Sequence, residues 1–246
     1  MTRGTHLAAL TSSLAALAEE QDVVSTLVEA VGASAETLDG DVGVVVSEDL
    51  TAPRAGRLDL LAASSHAAAS LELYQLQVDS GPCLDAVAED ADVSVVGDAA
   101  MRERWPRLAP ALSRAGYHAV HAFVLRWRGQ PFGALNVFLP RAHPLTADER
   151  QTARCFADIA AVAIVHAGDR PDLASVAEAV RATAEHRALL EQAKGALRYL
   201  LDADEGQAFT VLAQRARATR APVTEVAREV METVTAGRRP DWLPDA

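Results

Sequence analysis

The sequence predicts an α+β domain, with helices laid against a central antiparallel sheet, followed by an all-α domain of three helices. Three observations carry that reading. Short β-branched runs such as "DVGVVVSED", and a strand–turn–strand stretch, "HAVHAFVLRWRGQPFGALNVFLP", fall only before residue 168. Helical patterns lie among them without the strict strand–helix alternation of a parallel sheet. Beyond "AGDRPD" at 167–172 nothing reads as strand, and three stretches of helical pattern fill the remainder.

Each element has a local reason. Leu7, Leu10, Leu14 and Leu17 recur at spacings of three, four and three, one helix face, and the register continues through Val24, Val28 and Val31. The first ~38 residues therefore read as two helical segments. Arg3 followed by an apolar stretch imitates a secretion signal, but Thr11, Ser12 and Ser13 interrupt the apolar run. The leucine stripe is either a dimer seam or a cover for the sheet of its own domain. "DVGVVVSED" and "RLDLLAASS" are strands, "HAAASLELYQLQVD" is a helix, and "SGPCLDAVAED" is a turn with Pro82 near the first turn of a short helix. "ADVSVVGD" is a third strand, and "AMRERWPRLAPALSRAGY" is a helix broken by Pro106 and Pro110. Two strands then meet about Gly129 and Gln130 in a hairpin. Thr146 and Glu149 form a capping box for the long helix that follows.

The C-terminal helices are "LASVAEAVRATAEHRALLEQAKGALRYLL", "DEGQAFTVLAQRARAT" and "PVTEVAREVMETVTAG". Asp204 with Gln207 caps the second, Pro222 suits the first turn of the third, and Gly237 ends it. The expected division is a domain over 1–168, a linker over 169–180, a helical domain over 181–237 and a tail over 238–246.

Composition narrows the function. The 246 residues carry a net charge of −11, which excludes a blanket nucleic-acid-binding surface and leaves room only for a local basic patch. Residues 172–246 hold 10 basic and 12 acidic side chains against 13 and 22 before them, so the helical domain is the better partner for a polyanion. Cys83 and Cys155 give neither a disulfide framework nor a zinc spacing, which fits a reducing compartment. No uncharged apolar run approaches the roughly 20 residues of a membrane span, so a cytoplasmic protein with no membrane partner is expected.

Lys194, in "LLEQAKGALRYLL", is the only lysine among 23 basic residues. Leu190, Ala193, Leu197 and Leu200 form the buried stripe of that helix, while Arg187, Lys194 and Arg198 share another face with Glu191 among them. Gly195 costs about 1 kcal/mol against alanine in a helix interior. A neighbouring backbone, or a nucleic acid, lying close to the helix axis would offset that cost. The alternative is a solvated charged face with one tolerated glycine.

"LLEQAKGAL…EGQAFTVLAQRARATRAPVTEVAREV" resembles an ANTAR domain, the RNA-binding output domain of bacterial transcription-antitermination regulators. The resemblance covers about 181–237 and puts Ala193, Lys194 and Gly195 on the signature positions. The chain departs from the family pattern in carrying Arg198 where a methionine is usual. It also has Ala213, Gln214, Pro222 and Thr224 where basic residues are common, with arginines instead at Arg215, Arg217 and Arg220. The RNA-binding set implied is Lys194, Arg187, Arg198, Arg217 and Arg220.

Residues 1–168 resemble a GAF domain, a small-molecule sensor module, through "LAASS", "LELYQLQVDSGPCLDAV" and "FGALNVF". The resemblance implies a pocket on one sheet face, with no residue identified as lining it. The cyclic-nucleotide version needs a lysine, and this domain has none. Cys83, after Pro82, is either a thiolate lowered by a helix N-terminus, as in GAF-type reductases of free methionine sulfoxide, or a small buried hydrophobe. His118 and His121 fall on opposite faces of a strand, a poor geometry for one metal. No catalytic residue, metal site or cofactor is assigned. Together the resemblances imply a signal-responsive antitermination regulator binding leader-RNA hairpins, and the Leu7 register with the long helices points to a homodimer. Two alternatives remain: a Cys83 reductase, or a protein-interaction module whose ANTAR fold has lost RNA binding.

Overall fold

A computed structural model of the chain describes residues 23–47, 58–166, 173–219 and 221–243. It divides into two compact units, Met1–Arg181 and Ala182–Ala246. The leucine stripe at Leu7–Leu17 lies outside the described residues, as does Arg220.

In the first unit, α1 (Val23–Leu38) leads into β1 (Asp41–Ser47) and β2 (Leu58–Ala63). Then come α2 (His66–Val78), α3 (Pro82–Glu89), β3 (Val93–Val96), α4 (Asp98–Arg104), α5 (Ala109–Arg114), β4 (Ala119–Trp127), β5 (Gln130–Leu139) and α6 (Ala147–His166). The five strands form one antiparallel sheet in the order β2-β1-β5-β4-β3.

The central strands are buried along nearly their whole length because helices cover both faces. Alternation along the strands divides the side chains. Val45, Val120, Ala122, Val124, Ala134 and Phe138 join one core with residues of α2 to α5 and of the link between α4 and α5, among them Leu71, Met101, Trp105 and Leu112. On the other side α1 packs on α6, and α6 on β4. The stripe that α1 buries is Leu27, Ala30, Val31, Ser34 and Leu38. Val28, which the heptad-like register places on that face, is only half-buried.

Turn chemistry fixes the hairpin. Arg128 and Gly129 both have positive φ, 49° and 79°, and Trp127 pairs with Gln130. A two-residue loop with both central residues left-handed is the form whose twist matches the strands it joins. The turn is therefore Arg128–Gly129, one residue earlier than the sequence suggests. The capping box of α6 forms as expected: the Thr146 amide donates to Glu149 Oε2 at 2.8 Å and the Glu149 amide to Thr146 Oγ1 at 3.2 Å.

The second unit holds most of α7 (Leu173–Leu201), with α8 (Glu205–Thr219) and α9 (Val223–Thr235). Leu190, Ala193 and Leu197 of α7 are buried, as are Ala208 and Leu212 of α8 and Val226, Ala227 and Val230 of α9. Leu200, expected in the same stripe, is half-buried. Asp204 and Gln207 exchange amide hydrogen bonds at 2.9 and 2.8 Å, a second capping box. Gly237 (φ 70°) supplies the left-handed residue after α9. The chain beyond it folds back on the unit: Pro240 and Leu243 are buried, and Arg239 Nη1 donates to the Leu200 carbonyl at 3.0 Å. Among the described residues no helix is long and apolar enough to cross a membrane.

Candidate functional site

Each unit holds a candidate site. In the first unit, the one-turn spacing of Glu72 and Gln75 puts both side chains on the face of α2 that packs inward, and both are fully buried. Asn136 of β5 is buried opposite them, and its Nδ2 donates to both Glu72 oxygens at 2.8 and 2.9 Å. Gln75 Nε2 also donates to the Glu72 carboxylate. Gln75 Oε1 accepts the backbone N–H of Cys83, in the first turn of α3, at 3.4 Å. Glycines make the room: a Cβ at Gly43, which pairs with Asn136, would meet Glu72, and one at Gly81 would meet Gln75.

No cation balances this carboxyl among its hydrogen-bond partners. Burial pushes Glu72 up to about 8, against the lowering effect of the Asn136 and Gln75 hydrogen bonds. Burial, and then the neighbouring Glu72 charge, drives the Cys83 thiol well above its usual range. Cys83 is 0% exposed. It packs as a small buried hydrophobe, although it does sit at a helix N-terminus as the sequence suggests. Cys155 is half-buried on α6.

The histidines divide. His118 precedes β4 and its Nδ1 lies 2.7 Å from Asp98 Oδ1. His121 is buried on β4, with Nδ1 2.8 Å from Ser94 Oγ. Burial, reinforced by Arg150 and Arg141, lowers His121 to about 4. Among the described residues no group of three His, Cys, Asp or Glu side chains is placed to hold a metal. The buried Glu72–Asn136 pair escaped sequence reasoning. Its one sequence signal is a glutamate inside the buried stripe Ala68, Leu71, Gln75 and Val78 of α2.

In the second unit the signature triplet splits by environment. Ala193 is buried. Lys194 is not the exposed cation that the sequence suggests: its side chain is only 12% exposed, and Nζ donates to Glu191 Oε1 at 2.9 Å. Gly195 is exposed, with nothing within 4 Å of where its Cβ would stand. The close neighbouring backbone expected to justify this glycine is therefore not found among the described residues. Gln192, Arg198 and Tyr199 are exposed around it, Tyr199 at 88%. Arg217 is exposed on α8. Arg187 lies in α7, and its side chain is outside the described residues. Of the positions where basic residues are common in the family, Thr224 is buried in α9 and Gln214 is exposed.

Comparison with known proteins finds a different family model in each part of the chain. A family model described as GAF domain matches residues 19–164, and one described as ANTAR domain matches residues 178–231. No curated protein matches the chain. Among solved structures, the GAF domain of a phosphoenolpyruvate-protein phosphotransferase from Coxiella burnetii is 15% identical, with 68% of this chain and 96% of that one covered and a TM-score of 0.54. The corresponding domain from Acinetobacter is also 15% identical over 68% and 96%, with a TM-score of 0.52. At this identity the likeness speaks for the fold alone.

Proposed function

The chain belongs to the GAF domain family and carries an ANTAR domain behind it, and on that premise we propose that it is a signal-responsive RNA-binding regulator of transcription antitermination. The observation that carries the reading is the open face of α7. Gly195 sits there with clear space above it, and Arg198, Gln192 and Tyr199 surround it. A glycine in the middle of a helix, costing about 1 kcal/mol, fits a surface made for a partner to approach the backbone. Single-stranded RNA loops offer splayed bases and phosphates to such a surface, and duplex grooves do not.

In this reading Lys194 holds a fixed position through Glu191, one helical turn from the exposed Arg198. Arg187, Arg217 and Arg220 extend the cationic set. The first unit senses a small molecule. Such a ligand acts on RNA binding only if it prefers one of two states of the chain, and the covalent route between the units runs through residues 167–190. A cytoplasmic homodimer would present two RNA sites and raise avidity without new contacts.

What weighs against the reductase alternative is the burial of Cys83, which also pushes its thiol above the usual range. The experiment for the main reading is crosslinking of the full chain to cellular RNA, followed by identification of the bound transcripts. Enrichment of 5′ leader segments with hairpins supports it. Recovery indistinguishable from an unrelated acidic protein overturns it and leaves the protein-interaction module in its place.

A further inference from the structure

The residues beyond the ANTAR match, which ends at residue 231, build a cleft of their own. It has a volume of about 300 Å³ and lies among α8, α9 and the returning C-terminal segment, with Arg215, Glu229, Arg238, Arg239, Asp241 and Trp242 on its walls. Arg215 stacks its guanidinium over the Trp242 ring at 5.2 Å and holds Nη2 3.7 Å from Glu229 Oε1. Trp242 Nε1 donates to the same carboxylate oxygen at 2.9 Å. Glu229 thus fixes both the aromatic plate and the arginine above it. Arg239 is tied to the Leu200 carbonyl, which anchors the returning segment.

Two features ask for an anion. The buried Nε of Arg215 has no hydrogen-bond partner, a donor left unsatisfied at a cost. Arg238 is exposed at the rim and makes no ion pair with a carboxylate among the described residues. The local charge points the same way. From 215 to 242 the chain carries six arginines against three glutamates and Asp241, in a protein whose net charge is −11. Planar guanidinium forks match phosphate oxygens, and an aromatic ring beside them offers a base a stacking surface.

We propose that this cleft takes a phosphodiester group of the bound RNA, with Arg238 and Arg215 on the phosphate and Trp242 beside the adjoining base. It is a contact separate from the α7 face, built largely from residues that the family match does not include. An acidic peptide is disfavoured by the aromatic wall and the small volume, which suit one phosphate and part of a base. The proposal rests on the RNA-binding reading, and the test separates the two.

The probe is a fluorescein-labelled pool of RNA hairpins with randomised loops, enriched on the full-length protein and titrated by anisotropy at two salt concentrations. Arg238→Glu should weaken binding about tenfold and lower the salt slope by about one unit, since an exposed arginine can be replaced without unfolding the unit. Arg228→Glu makes the same charge change at an exposed position of α9 outside the cleft walls. It should have a clearly smaller effect. Equal losses in the two variants, or an unchanged affinity and slope for Arg238→Glu while wild type binds, overturn the cleft and leave the RNA reading standing. If no pool enriches on the wild type, the RNA reading falls and the cleft with it.

Discussion

One amide nitrogen of Asn136 donates to both oxygens of Glu72, at 2.8 and 2.9 Å, and the amide oxygen of the same Asn136 is buried without a partner. The arrangement makes physical sense for a protonated carboxyl. Burial keeps the proton on Glu72 up to about pH 8, and a neutral carboxyl has one O–H to donate. Turning the Asn136 amide by half a revolution, a change that leaves its outline the same, puts the unsatisfied oxygen in front of that proton.

The first prediction follows from the linkage. Folding raises Glu72 from 4.5 to about 8, so its contribution to stability is complete below pH 4.5 and is lost as pH rises to 8. His121 runs oppositely: lowered from 6.5 to about 4, it contributes stability above pH 6.5 that is lost as pH falls through 4. Between pH 6.5 and 8 only the Glu72 effect of these two is changing. Wild-type Tm should fall by several degrees across that interval, and Glu72→Gln should flatten the fall. Parallel curves for the two proteins would show that Glu72 titrates normally.

The second concerns the glycine facing the carboxyl. A Cβ at Gly43 would come within 2.8 Å of Glu72 Cγ. Gly43→Ala should therefore destabilise the first unit by about 1–3 kcal/mol through overpacking. Glu72→Ala in the same chain should recover part of that loss, and urea denaturation of the full cycle measures the coupling. Strictly additive effects would mean that the two positions do not meet.

Thiol chemistry supplies the third. Cys155, half-buried on α6, should react with a thiol reagent in the native protein, and Cys83 should react only on unfolding. A native Cys83 that labels as fast as Cys155 would restore the reductase alternative.

What could be read in the sequence, and what could not, follows the range of the interactions. Both capping boxes join residues three apart, so Thr146 with Glu149 and Asp204 with Gln207 are visible in a single turn of sequence. The antiparallel hairpin is visible for the same reason. The Glu72–Asn136 pair joins residues 64 apart, and only the packing of α2 on the sheet brings them together. The seat of the C-terminal segment is equally hidden. Pro240, Trp242 and Leu243 are too few to show a period, yet Pro240 and Leu243 are buried on the helical unit. Gly195 shows the same limit: of the two partners that would justify it, a neighbouring backbone or a nucleic acid, no backbone of the described residues stands there. A glycine in a helix says that something needs space, and the sequence cannot say whether that something belongs to the same fold.

Assembly is the fourth prediction. If the leucine face near the N-terminus is a seam, sedimentation should show a dimer that weakens when Leu10 and Leu14 become Asp. A monomer at micromolar concentration would remove the dimer from the account.

The most direct measurement is the pair Gly195→Ala and Gly195→Leu in the full-length protein, followed both for thermal stability and for binding to RNA recovered by crosslinking. Nothing stands within 4 Å of the new Cβ, so removing the glycine should stabilise the helix, by up to about 1 kcal/mol for alanine. If the open face of α7 is kept for RNA, binding should fall as stability rises, and further for leucine than for alanine. Variants that are more stable and bind the same RNA as tightly as wild type would contradict the proposed interface.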